Sequence, residues 1–194
     1  MKLHHIVLAA LMATGITQAH AAIFQGATGS PANVVTDYST ESLISFDLDL
    51  AELSTVTLNY SVDASDLANG SLSLNGLIRN LSGLGLDGMT FQLSGTNFGI
   101  HGTFGTDGFA QIADAGYAQQ EGWVHFSPSL TSEFYLGNPL GTLDAQDWGV
   151  SLQGLAIGSQ IALTVSAVPE PSTQALLLAG LGMMVLARRR QQAR

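Results

Sequence analysis

From Leu43 to Val62 the apolar side chains fall on every second position, and this period restricts the chain to strands. Ile44, Phe46, Leu48 and Leu50 alternate with Ser45, Asp47 and Asp49. Val56, Leu58, Tyr60 and Val62 alternate with Thr55, Thr57, Asn59 and Ser61. Alternation of this kind describes strands with one buried and one wet face. With Glu52-Leu53-Ser54 as the turn, the two runs are expected to form an antiparallel hairpin. Asp63 to Gly70 reads as a polar connection closed by the turn signal Asn69-Gly70.

The same period returns downstream. Leu72 and Leu74 open a strand, Met89, Phe91 and Leu93 mark another, and Phe98, Ile100 and Phe104 share a face with a gap at Gly102. Thr106-Asp107-Gly108 turns the chain towards Phe109 and Ile112. Ile112 to Gln120 is expected to hold a short helix, weakened by Gly116. Trp123 to Phe126 and Glu133 to Leu136 read as short strands around Pro128. Val150 and Leu152 begin the last pair, which Ile161, Leu163, Val165 and Ala167 complete. Turn signals about every ten residues, without a long amphipathic helix, predict an antiparallel, jelly-roll-like β-sandwich over 22–167. A β-helix is the alternative, but no repeat of fixed period is found.

Charge separates this body from the two ends. Between Ala22 and Val168 stand fourteen acidic residues and one basic residue, Arg79; the other cations are Lys2, Arg188, Arg189, Arg190 and Arg194. A body of that sign repels nucleic acid, which is excluded as a partner. The chain has no cysteine, so neither disulfides nor thiol chemistry is available. Met1 to Ala21 has a lysine, an apolar stretch from Ile6 to Ala13, and Ala19-His20-Ala21 with small residues where a signal peptidase inspects them. It reads as a secretory signal helix cleaved after Ala21, with signal peptidase as a partner.

The other end has three pieces in order: Val168-Pro169-Glu170-Pro171-Ser172, an apolar run from Ala175 to Ala187 containing Gly180-Leu181-Gly182, and Arg188-Arg189-Arg190. The prolines forbid regular structure before the run, and the run is expected to be a hydrophobic helix over 174–187. Thirteen apolar residues span only about 20 Å against a hydrocarbon core of about 30 Å. The arginines stop the run on the cytoplasmic side.

Residues 168–194 thus resemble the PEP-CTERM sorting signal, a tail that also goes under the name ice-binding protein C-terminal domain. The resemblance implies recognition by an exosortase, a membrane cysteine protease or transpeptidase of Gram-negative bacteria that make exopolysaccharide. It implies a transient inner-membrane anchor, then release or attachment at the cell surface or in the extracellular matrix. Val168, Pro169, Glu170, Pro171, Ser172, Arg188, Arg189 and Arg190 are the residues that carry it. As for ice binding, Thr55 and Thr57 form one rank of threonines that no neighbouring strand repeats, so the name belongs to the tail.

Chemistry in the body is sparse. His101 and His125 lack the spacing of a zinc site. Neither a GxSxG motif nor a phosphate loop is present. Asp47 and Asp49 stand about 7 Å apart on one strand face, a separation glycosidases use, but are expected to point to solvent as solubilising charges. Asp63 with Asp66 and Asp144 with Asp147 are weak calcium candidates, since turn capping is the commoner role of such Asp pairs. Trp148 and Tyr135 are the candidate glycan contacts, and Trp123 is assigned to the core. The resulting expectation is a non-enzymatic, exported sandwich without a cofactor, associated with exopolysaccharide or a biofilm matrix. A carbohydrate-binding module, a matrix-active glycosidase and a permanently anchored periplasmic protein are the alternatives.

Overall fold

The structure is a computed structural model that describes residues 22–170 together with Met183 and Arg188. The expected signal helix over 1–21 lies outside the described residues, as does the hydrophobic helix over 174–187 apart from Met183. Among the described residues no helix is long and apolar enough to cross a membrane.

Thirteen strands form two sheets packed face to face. In chain order they are β1 (Ile23–Thr28), β2 (Val34–Asp37), β3 (Leu43–Leu50), β4 (Val56–Ser61), β5 (Ser71–Asn80), β6 (Leu86–Ser94) and β7 (Phe98–Ile100). Then follow β8 (Phe104–Thr106), β9 (Ile112–Tyr117), β10 (Glu121–Leu130), β11 (Glu133–Leu136), β12 (Trp148–Ser151) and β13 (Gln160–Pro169), while one short helix, α1 (Ala64–Asn69), joins β4 to β5. The first sheet has the order β1-β4-β13-β6-β10-β9, antiparallel throughout. The second has the order β2-β3-β5-β11-β8, with β12 pairing the first half of β5 and β7 pairing β12.

The expected hairpin of the first two strands does not form. β3 and β4 lie in different sheets, so the segment between them crosses the sandwich rather than turning within one layer. β3 pairs instead with β5, in parallel, from Leu43 opposite Ser73 to Leu50 opposite Asn80. The second sheet is therefore mixed, where an all-antiparallel arrangement was expected. The segment expected to be a helix near Ile112 is the edge strand β9, paired with β10. Asp63 to Gly70 is not a plain turn but α1, with a left-handed Gly70 ending it.

Phe46, Leu58, Phe91, Val124, Phe134 and Leu163 are among the inward residues that fill the space between the layers. Phe134 of one sheet lies 5.5 Å from Phe91 and 5.6 Å from Phe126 of the other, measured between ring centres. Opposite Phe46 stands Gly76, where a Cβ would come within 2.5 Å of the Phe46 ring. The glycine thus makes room for the phenyl group, a requirement of volume rather than of backbone angle.

Candidate functional site

The most specific feature of the sequence emerges directly from the sheet. β13 runs beside β6 to its last residues, with Val168 opposite Gly88 and Pro169 opposite Leu86. The Glu170 N–H then donates to the Gly85 carbonyl at 3.1 Å. The Glu170 side chain lies over Gly85, where a Cβ would collide with its carboxylate and approach Ser129 Cβ to 3.1 Å. Val168, Pro169 and Glu170 are exposed, yet they form the end of a strand rather than a free linker. Proline is tolerated here because the strand is ending and its missing N–H leaves no ladder bond to break. Pro171, Ser172, Arg189 and Arg190 lie outside the described residues.

Four loops share this end of the sandwich with the departing chain. They are the segments before β4, between β5 and β6, between β8 and β9, and between β10 and β11, as Leu81 N–H to Leu50 O and Ser127 N–H to Gln111 O record. Three large apolar side chains stand out from them: Leu81, Leu84 and Phe109, the last 81% exposed.

The other expected site residues take different roles. Trp148 is 1% exposed, so it cannot stack on a glycan. Its ring packs against Phe98, Phe104 and His101, and its indole N–H donates to the Thr103 carbonyl at 3.3 Å. Trp123 reverses the other assignment: flanked by buried Gly122 and Val124, it faces outwards and covers Gly116. The exposed ring pair is one the sequence reading did not find. His101 and Tyr117 stack at 3.7 Å between centres over the Trp148 edge. Tyr135 is half-buried, lies over Gly105, and donates its hydroxyl to Glu133 at 2.9 Å. Partial burial, then this hydrogen bond and the Glu133 charge, push its phenol up to about 12.

Asp47 and Asp49 do face outwards, but not as separate charges. Arg79, brought beside them by the parallel β3–β5 pairing, binds Asp49 at 2.5 Å through Nε and Asp47 at 3.2 Å through its terminal nitrogen. Its guanidinium is held further above its ordinary range by the Asp49 hydrogen bond. Arg79 was legible as the only cation of the body, but nothing local in the sequence announced its partners.

The calcium candidates serve the backbone. Asp63 caps α1, accepting from the Ser65 and Asp66 amides at 2.7 and 3.0 Å, and the Asp63 N–H donates in return to Asp66 Oδ2 at 2.8 Å. Asp147 accepts from Asn138 N–H at 2.8 Å and Asn75 Nδ2 at 3.1 Å, which ties the loop before β12 to β5. Asp144 is exposed and lies outside that arrangement. Among the described residues no three His, Cys, Asp or Glu side chains converge as metal ligands.

A folded body whose last strand ends at Pro169, the first residue of the Pro-Glu-Pro segment in the sequence, defines a class: a folded domain carrying a C-terminal address. Residues 167–191 match the family model of the PEP-CTERM protein-sorting motif, beginning inside β13. The chain therefore carries a PEP-CTERM sorting motif at its C-terminal end, and that motif supports export and surface or extracellular placement through an exosortase. No curated protein and no solved structure matches it.

Proposed function

We propose that the body, 22–167, is a non-enzymatic β-sandwich that an exosortase places in an exopolysaccharide matrix. The observation that carries this reading is the sorting motif at 167–191, continuous with the final strand. The leader is removed by signal peptidase after Ala21, and the tail serves as a transient inner-membrane anchor. Four residues separate Glu170 from the apolar run, which puts Ala175 at most about 18 Å from Glu170. The exit end therefore stays close to the bilayer while the tail is inserted. The apolar tips Leu81, Leu84 and Phe109 suit that position.

The non-enzymatic reading is supported by how the acidic groups are used. Asp47 and Asp49 are both engaged by Arg79, which leaves the pair unlike the acid and nucleophile of a glycosidase. Glycan contact falls on the stacked His101–Tyr117 pair, with Tyr135 as a second ring, because Trp148 is enclosed. Stacking of this kind contributes modest affinity, so matrix association depends on many copies or many sugar units.

Two measurements test the proposal. Intact-mass analysis of surface or medium protein from the native host should show loss of the apolar run and arginines; most molecules retaining Arg194 would refute transient anchoring. Host exopolysaccharide should co-sediment with the processed protein, and Tyr117→Ala should weaken it. Unchanged binding after that substitution moves the contact away from the ring pair.

A further inference from the structure

Asp66 is, among the described residues, the one buried carboxylate, 1% exposed. Its Oδ2 accepts from Asp63 N–H, but its Oδ1 has no hydrogen-bond partner. Such an oxygen is costly to leave in a core, and α1 could have been capped by a smaller or shorter-reaching residue. What faces it is the start of the sandwich. β1 begins at Ile23 opposite Ser61, which places Ala22 beside Val62, just before Asp63 and the cap of α1. Ala22 is itself 1% exposed and belongs to the core.

Burial raises the Asp66 pKa, and the Asp63 charge adds to that, while the Ala22 backbone nitrogen is among the groups opposing the rise. Asp63 is the other carboxylate at this end, and its Oδ1 is taken up by the amides of Ser65 and Asp66. With a peptide bond between Ala21 and Ala22, that nitrogen offers one proton and no charge. After cleavage it offers three protons and a positive charge.

We propose that Asp66 is a built-in receptor for the α-ammonium group of the mature chain. Water cleaves the Ala21–Ala22 amide, the new carboxylate departs with the leader, and the Ala22 nitrogen takes up protons to become an ammonium ion beside Asp66 Oδ1. The sandwich thus acquires its last core interaction only when the leader is gone. This rests on the reading that the leader ends at Ala21. A buried carboxylate with a paired ammonium is far better accommodated than one without, which gives the exported form a stability the precursor lacks.

The test uses the chain from Ala22 to Arg194 in detergent, beside the same chain with one glycine placed before Ala22, each with and without Asp66→Asn. Thermal midpoints should fall with the added glycine and with Asp66→Asn, and the doubly changed chain should fall no further than either alone. Carbon-13 titration of the Asp66 carboxyl should show a lower pKa with the free amine than with the added glycine, a readout that survives if Asp66→Asn fails to fold. Additive losses, or an Asp66 titration indifferent to the added glycine, would overturn the pairing. N-terminal sequencing of the exported protein separates the two possible failures. A start other than Ala22 overturns the proposal through the leader, whereas a start at Ala22 without the titration shift overturns it through Asp66.

Discussion

Gly85→Val should speed C-terminal processing. The Glu170 carboxylate occupies the space a side chain at 85 would need, and Ser129 closes the other side at 3.1 Å. Glu170 is exposed and flexible, whereas Ser129 is held by its hydroxyl donating to Asp87 at 2.8 Å. The glutamate is therefore what gives way, and where its backbone follows the side chain, the N–H bond to the Gly85 carbonyl, 3.1 Å long, is lost. One such bond contributes about 0.5–1.5 kcal/mol net, so its loss shifts the balance between docked and released motif by a factor of about 2–13. Proteases take their substrates as extended chain, and a released motif is the form an exosortase can engage. Pulse-labelled conversion of precursor to mature protein, followed in exosortase-bearing cells, should accelerate by up to that factor. The thermal midpoint of the soluble body should hold, because the displaced group is not part of the core. Conversion that is unchanged or slower, with an intact body, would show that docking of Glu170 on Gly85 does not restrain the motif.

Three further outcomes follow from the body. Phe46→Ala should cost about 3–5 kcal/mol and lower the melting temperature by roughly 6–20 °C; Asp47→Ala, which removes one arm of a half-exposed ion pair, should cost about 0–1 kcal/mol. Equal melting temperatures would refute the inward–outward register of β3. Gly76→Ala should lose about 1–3 kcal/mol by overpacking against the Phe46 ring, and in a Phe46→Leu background the loss should shrink; an unchanged loss would mean the ring is not the obstacle. The Tyr135 phenol, held at about 12, keeps its proton through the ordinary tyrosine range, so its contribution to stability is present below about 10 and is lost as pH rises through 12; Glu133→Gln should move the midpoint back down in an ultraviolet difference titration against Tyr135→Phe.

Which strands exist could be read from the sequence; which strands pair could not. Alternation placed Phe46 and Leu58 inside and Asp47 and Asn59 outside, because period two reports the face a residue takes. It says nothing about partners, so the nearest neighbours β3 and β4 were joined although they belong to opposite layers. The Arg79 ion pairs were hidden for the same reason: they depend on a parallel pairing of strands about thirty residues apart. β9 escaped because an edge strand exposed on both faces carries no alternation. The two tryptophans were legible in principle. Trp123 shares parity with outward His125, against inward Val124 and Phe126, and Trp148 shares parity with inward Val150. Weighing the polar neighbours of Trp148, and the common use of tryptophan as a core plug for Trp123, ahead of that parity exchanged their roles. The sorting motif was legible because its chemistry is local, whereas its docking on Gly85 depends on a register that only the folded sheet provides.

That register would also order the two processing events we propose, removal of the leader and removal of the tail. β1 and β13 flank β4 and run in the same direction, so Ala22 and Glu170 lie at opposite ends of the sandwich. The ten residues of β13 alone extend about 33 Å. Between the leader's apolar stretch and Ala22 stand only eight residues, 14–21, so Ala22 lies at most about 32 Å from Ala13. A sandwich held upright on its exit end by the tail therefore keeps its leader in the same bilayer only with the linker drawn fully straight; otherwise one tether must go, or the body must tip onto its side. Leader cleavage first resolves the conflict and frees the nitrogen that Asp66 awaits. Blocking that cleavage with Ala19→Leu and Ala21→Leu should therefore slow removal of the tail, seen as accumulation of a form retaining Arg194. If tail removal keeps its normal rate with the leader still attached, the upright posture is wrong and the two ends are processed independently.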